Sequence, residues 1–113
     1  MANWIVRNLE TAPQVLHSAC GESIRLITCQ DTPDFSFHVV HILDGQKHYH
    51  TKATEVYYVL EGHGKLELDD DVVDLKPGVI VLISPGVRHR GYGDFKTVVT
   101  GTPAFTPGDE YFD

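Results

Sequence analysis

Cationic charge is scarce in this 113-residue chain. Nine Lys and Arg stand against sixteen Asp and Glu, for a formal net charge of -7. A protein that grips a phosphate backbone needs a basic face, so a nucleic-acid partner is not expected. Long apolar runs are also missing. The longest, Val79 to Ile83, is strand-sized and far below the ~18 residues that mark a membrane span. The first ten residues include Arg7, Asn8 and Glu10 and no basic stretch leading into an apolar core. No secretory leader is therefore expected, and the cytoplasm is the expected compartment. Cysteine is limited to Cys20 and Cys29, which are not in a CxxC spacing. Reduced, small and buried is the expected state for both.

What is present describes one globular domain spanning 1–113. The charged fraction is 22% and the hydrophobic fraction 42%, too apolar for a disordered chain. A chain of this size buries roughly two-thirds of its unfolded surface, enough for a core without disulfides. Gly and Pro interrupt the sequence at short intervals, with Val, Ile, Phe, Tyr and Thr between them. That pattern predicts many short strands, at about 24–29, 35–43, 48–50, 56–60, 65–68, 72–75, 79–83, 89–92 and 97–100. A further strand over 3–9, carrying Trp4, is expected at the N-terminus. The segment Glu61-Gly62-His63-Gly64 reads as a hairpin turn. Lys76-Pro77-Gly78 reads as another turn, and so does Asp69-Asp70-Asp71, whose carboxylates lack the spacing of a calcium loop. One weak helical turn is expected over 11–16. So many short strands in a small chain must close into a barrel or stack, because open edges invite aggregation. The expected fold is all-β.

Seven histidines are many for this length. His48 and His50 are two apart, so on a strand both imidazoles project from one face. Glu55 follows at the head of an apolar strand. A short turn through Thr51 to Thr54 brings that strand beside the histidines, with Glu55 facing the same space. Two imidazoles and one carboxylate on one side of a cavity form a metal site with open positions.

The pattern His48-x-His50-x4-Glu55-x6-Gly62 resembles the first motif of the cupin superfamily, over about 45–62. Gly78 and Pro85-Gly86-Val87-Arg88-His89 resemble its second motif, over about 78–93. The end Pro103-x-Phe105-x-Pro107-x-Asp109 is similar to the tails of many small cupins. The resemblance implies an antiparallel β-barrel, a double-stranded jelly roll, with one metal held by His48, His50, Glu55 and His89. Three histidines and a glutamate suit Fe(II), which is favoured, or Mn, Ni, Co, Cu or Zn. A homodimer is also implied, since small cupins commonly pair.

Other residues are candidates for the surroundings of the metal. Tyr57 shares the face of Glu55 and is a candidate substrate contact or barrel-core residue. His38 and His41 fall on opposite faces of one strand, so at most one points inward, as a core or interface histidine or a substrate contact. His63 and His17 are expected at the surface. Arg88 and Arg90 alternate away from His89 and are expected outward or at the barrel mouth. Phe105, Tyr111 and Phe112 are expected to pack on the barrel exterior or a neighbour. The favoured function is a non-haem metal-dependent oxygenase, a dioxygenase-type oxidoreductase acting on a small organic molecule. The alternatives are a metal-dependent isomerase or lyase on a sugar or keto acid, and a small-molecule binding module without turnover.

Overall fold

The computed structural model of the protein describes residues 3–12 and 15–113. Seven strands follow one another: β1 (Val15–His17), β2 (Glu22–Ile27), β3 (Ser36–Asp44), β4 (Thr54–Leu68), β5 (Asp71–Leu75), β6 (Ile80–Ile83) and β7 (His89–Thr102). They form one antiparallel sheet in the order β1-β2-β3-β7-β4-β5, with β6 also paired to β4. No described residue is helical, so the all-β expectation holds. It follows that no helix among the described residues could cross a membrane.

Two long strands carry the architecture. β4 lies against β7 along nearly its whole length, while β6 flanks its first part and β5 its last. The inner faces of the strands meet in a core of Val40, Ile42, Tyr57, Val59, Leu66, Leu75, Ile83, Phe95 and Val99. Alternation along β4 produces this burial: Glu55, Tyr57 and Val59 are buried, whereas Tyr58 and Leu60 are exposed.

Five local expectations are corrected. The segment 61–64 is no hairpin turn but the middle of β4. Its glycines serve a bend instead of a reversal. The β4–β7 register shifts between Val59 and Glu61. Gly62 has φ +85°, and a Cβ there would sit 2.2 Å from the Asp94 carbonyl oxygen. Gly93, opposite Gly64, has φ +124°. Both positions need a residue without Cβ. For the same reason the predicted strands 89–92 and 97–100 are one bent strand, β7. Residues 3–8 form no strand, and 48–50 contribute isolated bridges only. In place of the helical turn there is a turn at 9–11 followed by β1; Pro13 and Gln14 lie outside the described residues. The Asp69 turn is as expected, with Asp69 itself at φ +53° joining β4 to β5.

Candidate metal centre

The four predicted ligands arrive from three places in the chain. Glu55 is the second residue of β4 and His89 the first of β7. His48 and His50 lie on the connection between β3 and β4, which is docked on β7. Gly45 N–H donates to the Gly91 carbonyl at 2.8 Å. His48 and His89 exchange backbone hydrogen bonds of 3.1 and 2.9 Å. This short pairing fixes the same-face geometry predicted from spacing. His48 and His50 turn inward, while Tyr49 between them stacks on Tyr111 with Arg88 over its ring.

All four ligands are buried, with exposures of 2% for His48, 4% for His50, 6% for Glu55 and 1% for His89. One donor atom from each lies within 4.8 Å of the others. The tautomers follow from the outer partners. Nδ1 of His48 faces the Gln46 carbonyl at 2.7 Å, Nδ1 of His50 the Asp109 carbonyl at 2.5 Å, and Nδ1 of His89 the Val87 carbonyl at 2.9 Å. A carbonyl can only accept, so each Nδ1 carries a hydrogen, and in the neutral ring each Nε2 presents a lone pair. Glu55 Oε1 stands 3.2 Å from His50 Nε2 and 3.1 Å from His89 Nε2. Yet none of these three atoms makes an aligned hydrogen bond. Converging, buried, unsatisfied acceptors are costly unless a cation lies among them. The residues therefore fit a divalent metal, which His48, His50, Glu55 and His89 would hold. The donor set of three nitrogens and a carboxylate does not single out one ion.

Without metal, the charge arrangement compensates itself. Burial works against ionising Glu55, but the His50 and His89 rings outweigh it and hold the carboxyl at about 2. Burial likewise opposes a charge on His50, but the adjoining carboxylate lifts it to about 9. Burial, and then neighbouring His89, depress His48 to about 4. A proton on His50 and a metal thus compete for one nitrogen.

Asp109 anchors the site from the C-terminal tail. Its carboxylate accepts from the N–H of Thr51 at 2.8 Å, of Lys52 at 3.1 Å and of Ala53 at 3.1 Å, and from the Thr51 hydroxyl at 2.9 Å. It thereby ties the turn between His50 and Glu55, while its carbonyl holds the His50 ring. The Pro-x-Phe-x-Pro-x-Asp spacing had pointed to this tail, though not to this task.

A cavity lies against His48, His50 and Glu55. His38 lines it and His41 does not. His41 is on the outer face of β3, bonded to Asp94 at 2.8 Å. Tyr57 sits in the core, with its hydroxyl 3.3 Å from Cys20 Sγ and its ring edge toward His89. Cys20 is also 3.5 Å from His48 Nε2. Burial first, then the Glu55 charge, push its thiol up to about 12. Phe105 is no exterior residue but part of the cavity wall, 5.6 Å from the His50 ring. Arg88 and Arg90 are engaged outside it, by Asp113 and by Asp44 with Glu67. His63 is exposed as expected, although on a strand. The cavity residues Ser23, Arg25, Ser36 and Glu110 had not been singled out. Ser23 and Arg25, two apart on β2, form a polar face whose signal was available in the alternation.

Comparison with known proteins agrees with this geometry. Residues 39–100 match the Cupin domain family. The L-ectoine synthase of Saccharophagus degradans is 31% identical over 119 residues, covering 96% of this chain and 89% of that one. A crystal structure of a Planctomyces limnophilus protein superposes with TM-score 0.89 and 28% identity, covering 98% of each chain. The nucleoside dehydratase Pac13 of Streptomyces has TM-score 0.85 at 21% identity, covering 96% of this chain and 90% of that one, which is a likeness of fold. With the barrel strands, both motifs and the four converging side chains in place, the chain belongs to the cupin family.

Proposed function

We propose that this protein is a metal-dependent lyase that removes water from a small polar molecule. The observation that carries the reading is the cluster of His48, His50, Glu55 and His89, with its unsatisfied acceptors beside a cavity whose walls include Ser23, Ser36, His38 and Glu110. The similarity to L-ectoine synthases, which are lyases, spans nearly the whole chain. The oxygenase expectation therefore yields to the non-redox alternative. It had rested on the ligand set, the family resemblance and an apolar lining, and all three serve redox and non-redox chemistry alike.

When bound, the cation supplies Lewis-acid polarisation of a substrate oxygen. The chain's own residues do the rest. Phe105 and Val40 exclude water from one side of the cavity, and Ser23 and Ser36 offer hydroxyls to orient a polar substrate. Two groups on the wall can take a proton. One is the Glu110 carboxylate. The other is His38, which burial and then the nearby Arg25 charge depress to about 4, so that it is neutral at pH 7. A proton leaving substrate carbon or nitrogen passes to one of these and on to the departing hydroxyl, which leaves as water, so no oxidant is consumed.

The test is anaerobic turnover. Protein loaded with Zn(II) or Mn(II) is incubated with sugars and with keto, hydroxy and amino acids, and products are followed by mass spectrometry for loss of one water. The expected result is turnover that is the same with and without O₂. Consumption that requires O₂ and a redox-active metal returns the protein to the oxygenase class.

A further inference from the structure

We infer that Cys20 is a further metal ligand: its thiolate is a fifth donor to the ion held by His48, His50, Glu55 and His89, and it biases the site toward thiophilic cations. The inference rests on the metal site of the proposed function, not on the reaction assigned to it.

Cys20 reaches the site from the turn between β1 and β2. Ser18 and Gly21 close that turn with backbone hydrogen bonds of 2.8 and 3.2 Å. The turn is pinned to the connection that carries the histidines, because the Gln46 N–H donates to the Ala19 carbonyl at 2.7 Å. Two residues on, His48 presents Nε2 to Cys20 Sγ at 3.5 Å. That nitrogen is the one His48 has for a metal, since its Nδ1 is engaged by the Gln46 carbonyl. A nitrogen at ~2.1 Å and a sulfur at ~2.3 Å from one ion, at right angles or tetrahedrally disposed, stand about 3.1–3.6 Å apart. The observed separation falls within that interval. Cys20 is not among the four residues whose donor atoms lie within 4.8 Å of one another, so it is an outlying fifth donor and no substitute for one of them.

The hydrogen bonds supply a second argument. The metal-facing nitrogens of His50 and His89 have no aligned partner, and neither does Glu55 Oε1. His48 Nε2 has one, and it is the Cys20 thiol. The S–H donates to that nitrogen, and the buried Tyr57 hydroxyl donates to the sulfur at 3.3 Å. A cation on Nε2 takes away the acceptor of the S–H. The thiol proton then passes to solvent, a sulfur–metal bond replaces the S–H bond, and the Tyr57 hydroxyl remains as donor to the sulfur. No electron changes hands. Charge favours the same outcome. Glu55 alone leaves a divalent ion with one excess positive charge among buried groups, and a second anionic donor neutralises it. The other cysteine, Cys29, is exposed and takes no part.

Cobalt spectroscopy on the metal-stripped full chain tests this. Cys29→Ser leaves Cys20 as the sole thiol. Co(II) added to that protein is expected to give a sulfur-to-cobalt charge-transfer band in the near ultraviolet, beside the weaker visible bands of the bound ion. The band is expected to stop growing once the site is filled. Cys20→Ser in the same background is expected to remove the ultraviolet band and keep the visible ones. Competition titrations give an independent reading. Cys20→Ser is expected to lower the affinity for Cd(II) at least tenfold and that for Mn(II) by about twofold or less. Three outcomes overturn the inference: cobalt bound by the Cys29→Ser protein without the charge-transfer band, a band that survives Cys20→Ser, or equal losses for Cd(II) and Mn(II). The first needs no Cys20 variant and is decisive even where Cys20→Ser does not fold. Cobalt bound without the band overturns ligation by Cys20 and leaves metal-dependent elimination of water intact. A protein that shows the band but eliminates no water in anaerobic turnover refutes the lyase reading alone.

Discussion

At the scale of single residues, the site depends on atoms that look away from it. Each metal-facing imidazole is oriented by a backbone carbonyl at its far nitrogen, and such outer contacts typically carry ten- to a hundredfold in metal affinity. Replacing His48 and His50 together by alanine removes two of the four donors, and metal content after purification is expected to fall at least tenfold. Equal metal in variant and wild type, measured by atomic emission, would refute the ligand assignment. Asp109→Ala leaves the N–H groups of Thr51, Lys52 and Ala53 without their acceptor. A loss of about 2–3 kcal/mol is expected in urea unfolding at pH 7. Burial raises the Asp109 carboxyl, but those bonds outweigh it and hold the group below the usual carboxylate range. A depressed folded value means the contribution is present above pH ~4 and disappears as pH falls through the folded value. The gap between Asp109→Ala and wild type should therefore narrow on acidification below pH ~4.

At the scale of elements, Gly62 shows why local patterns misled. Two glycines around His63 predict a chain reversal, because positive φ most often serves one. Here the chain continues, and the same freedom lets β4 bend while its backbone passes close to β7. Which use is made of the glycine depends on the partner strand, some thirty residues away, and nothing near Gly62 encodes it. Gly62→Ala puts a Cβ against the Asp94 carbonyl and strains φ. A destabilisation of about 1–3 kcal/mol is expected, visible as a lower urea midpoint. Gly78→Ala is the comparison, since a Cβ there meets nothing within 4 Å. At φ +91° it carries only the backbone strain and should cost less. Equal losses would assign the Gly62 effect to φ alone. The burial alternation of β3 and β4, by contrast, was legible from the chain, because the period of two is a property of the strand itself.

At the scale of the whole molecule, metal binding and folding are expected to be coupled. The ligands come from the β3–β4 connection, β4 and β7, so an unfolded chain presents no comparable site. A saturating divalent ion at about a hundred times its dissociation constant should add about 2.7 kcal/mol and raise the melting temperature. The rise must shrink with acid. Metal binding needs neutral imidazoles, whereas the metal-free site holds a proton on His50, lifted to about 9 by Glu55. Lower pH thus favours the proton over the metal. Differential scanning calorimetry with and without Zn(II) is expected to show a shift that shrinks steadily as pH falls below about 9. A shift that does not change with pH would place the ion elsewhere.

The resemblance of the His48, His50, Glu55 and His89 spacing to the cupin motifs pointed to the fold family and to the four side chains that converge, without any coordinates. A strand places residues two apart on one side, and the two motifs carry that regularity directly. Strand alternation likewise determined that Tyr57 faces inward and Tyr58 outward. Tertiary structure alone decided what surrounds the metal. His38 and His41 are equivalent as residues of one strand; it is the sheet's curvature that turns the first into the cavity and leaves the second to pair with Asp94. Arg25, Phe105, Asp109 and Glu110 come from β2 and the tail, and meet only when the sheet curls and the C-terminus returns across it. Periodicity is a local property of the chain, whereas a cavity wall is assembled from distant segments, so the converging four-residue cluster was legible in advance and the cavity wall was not.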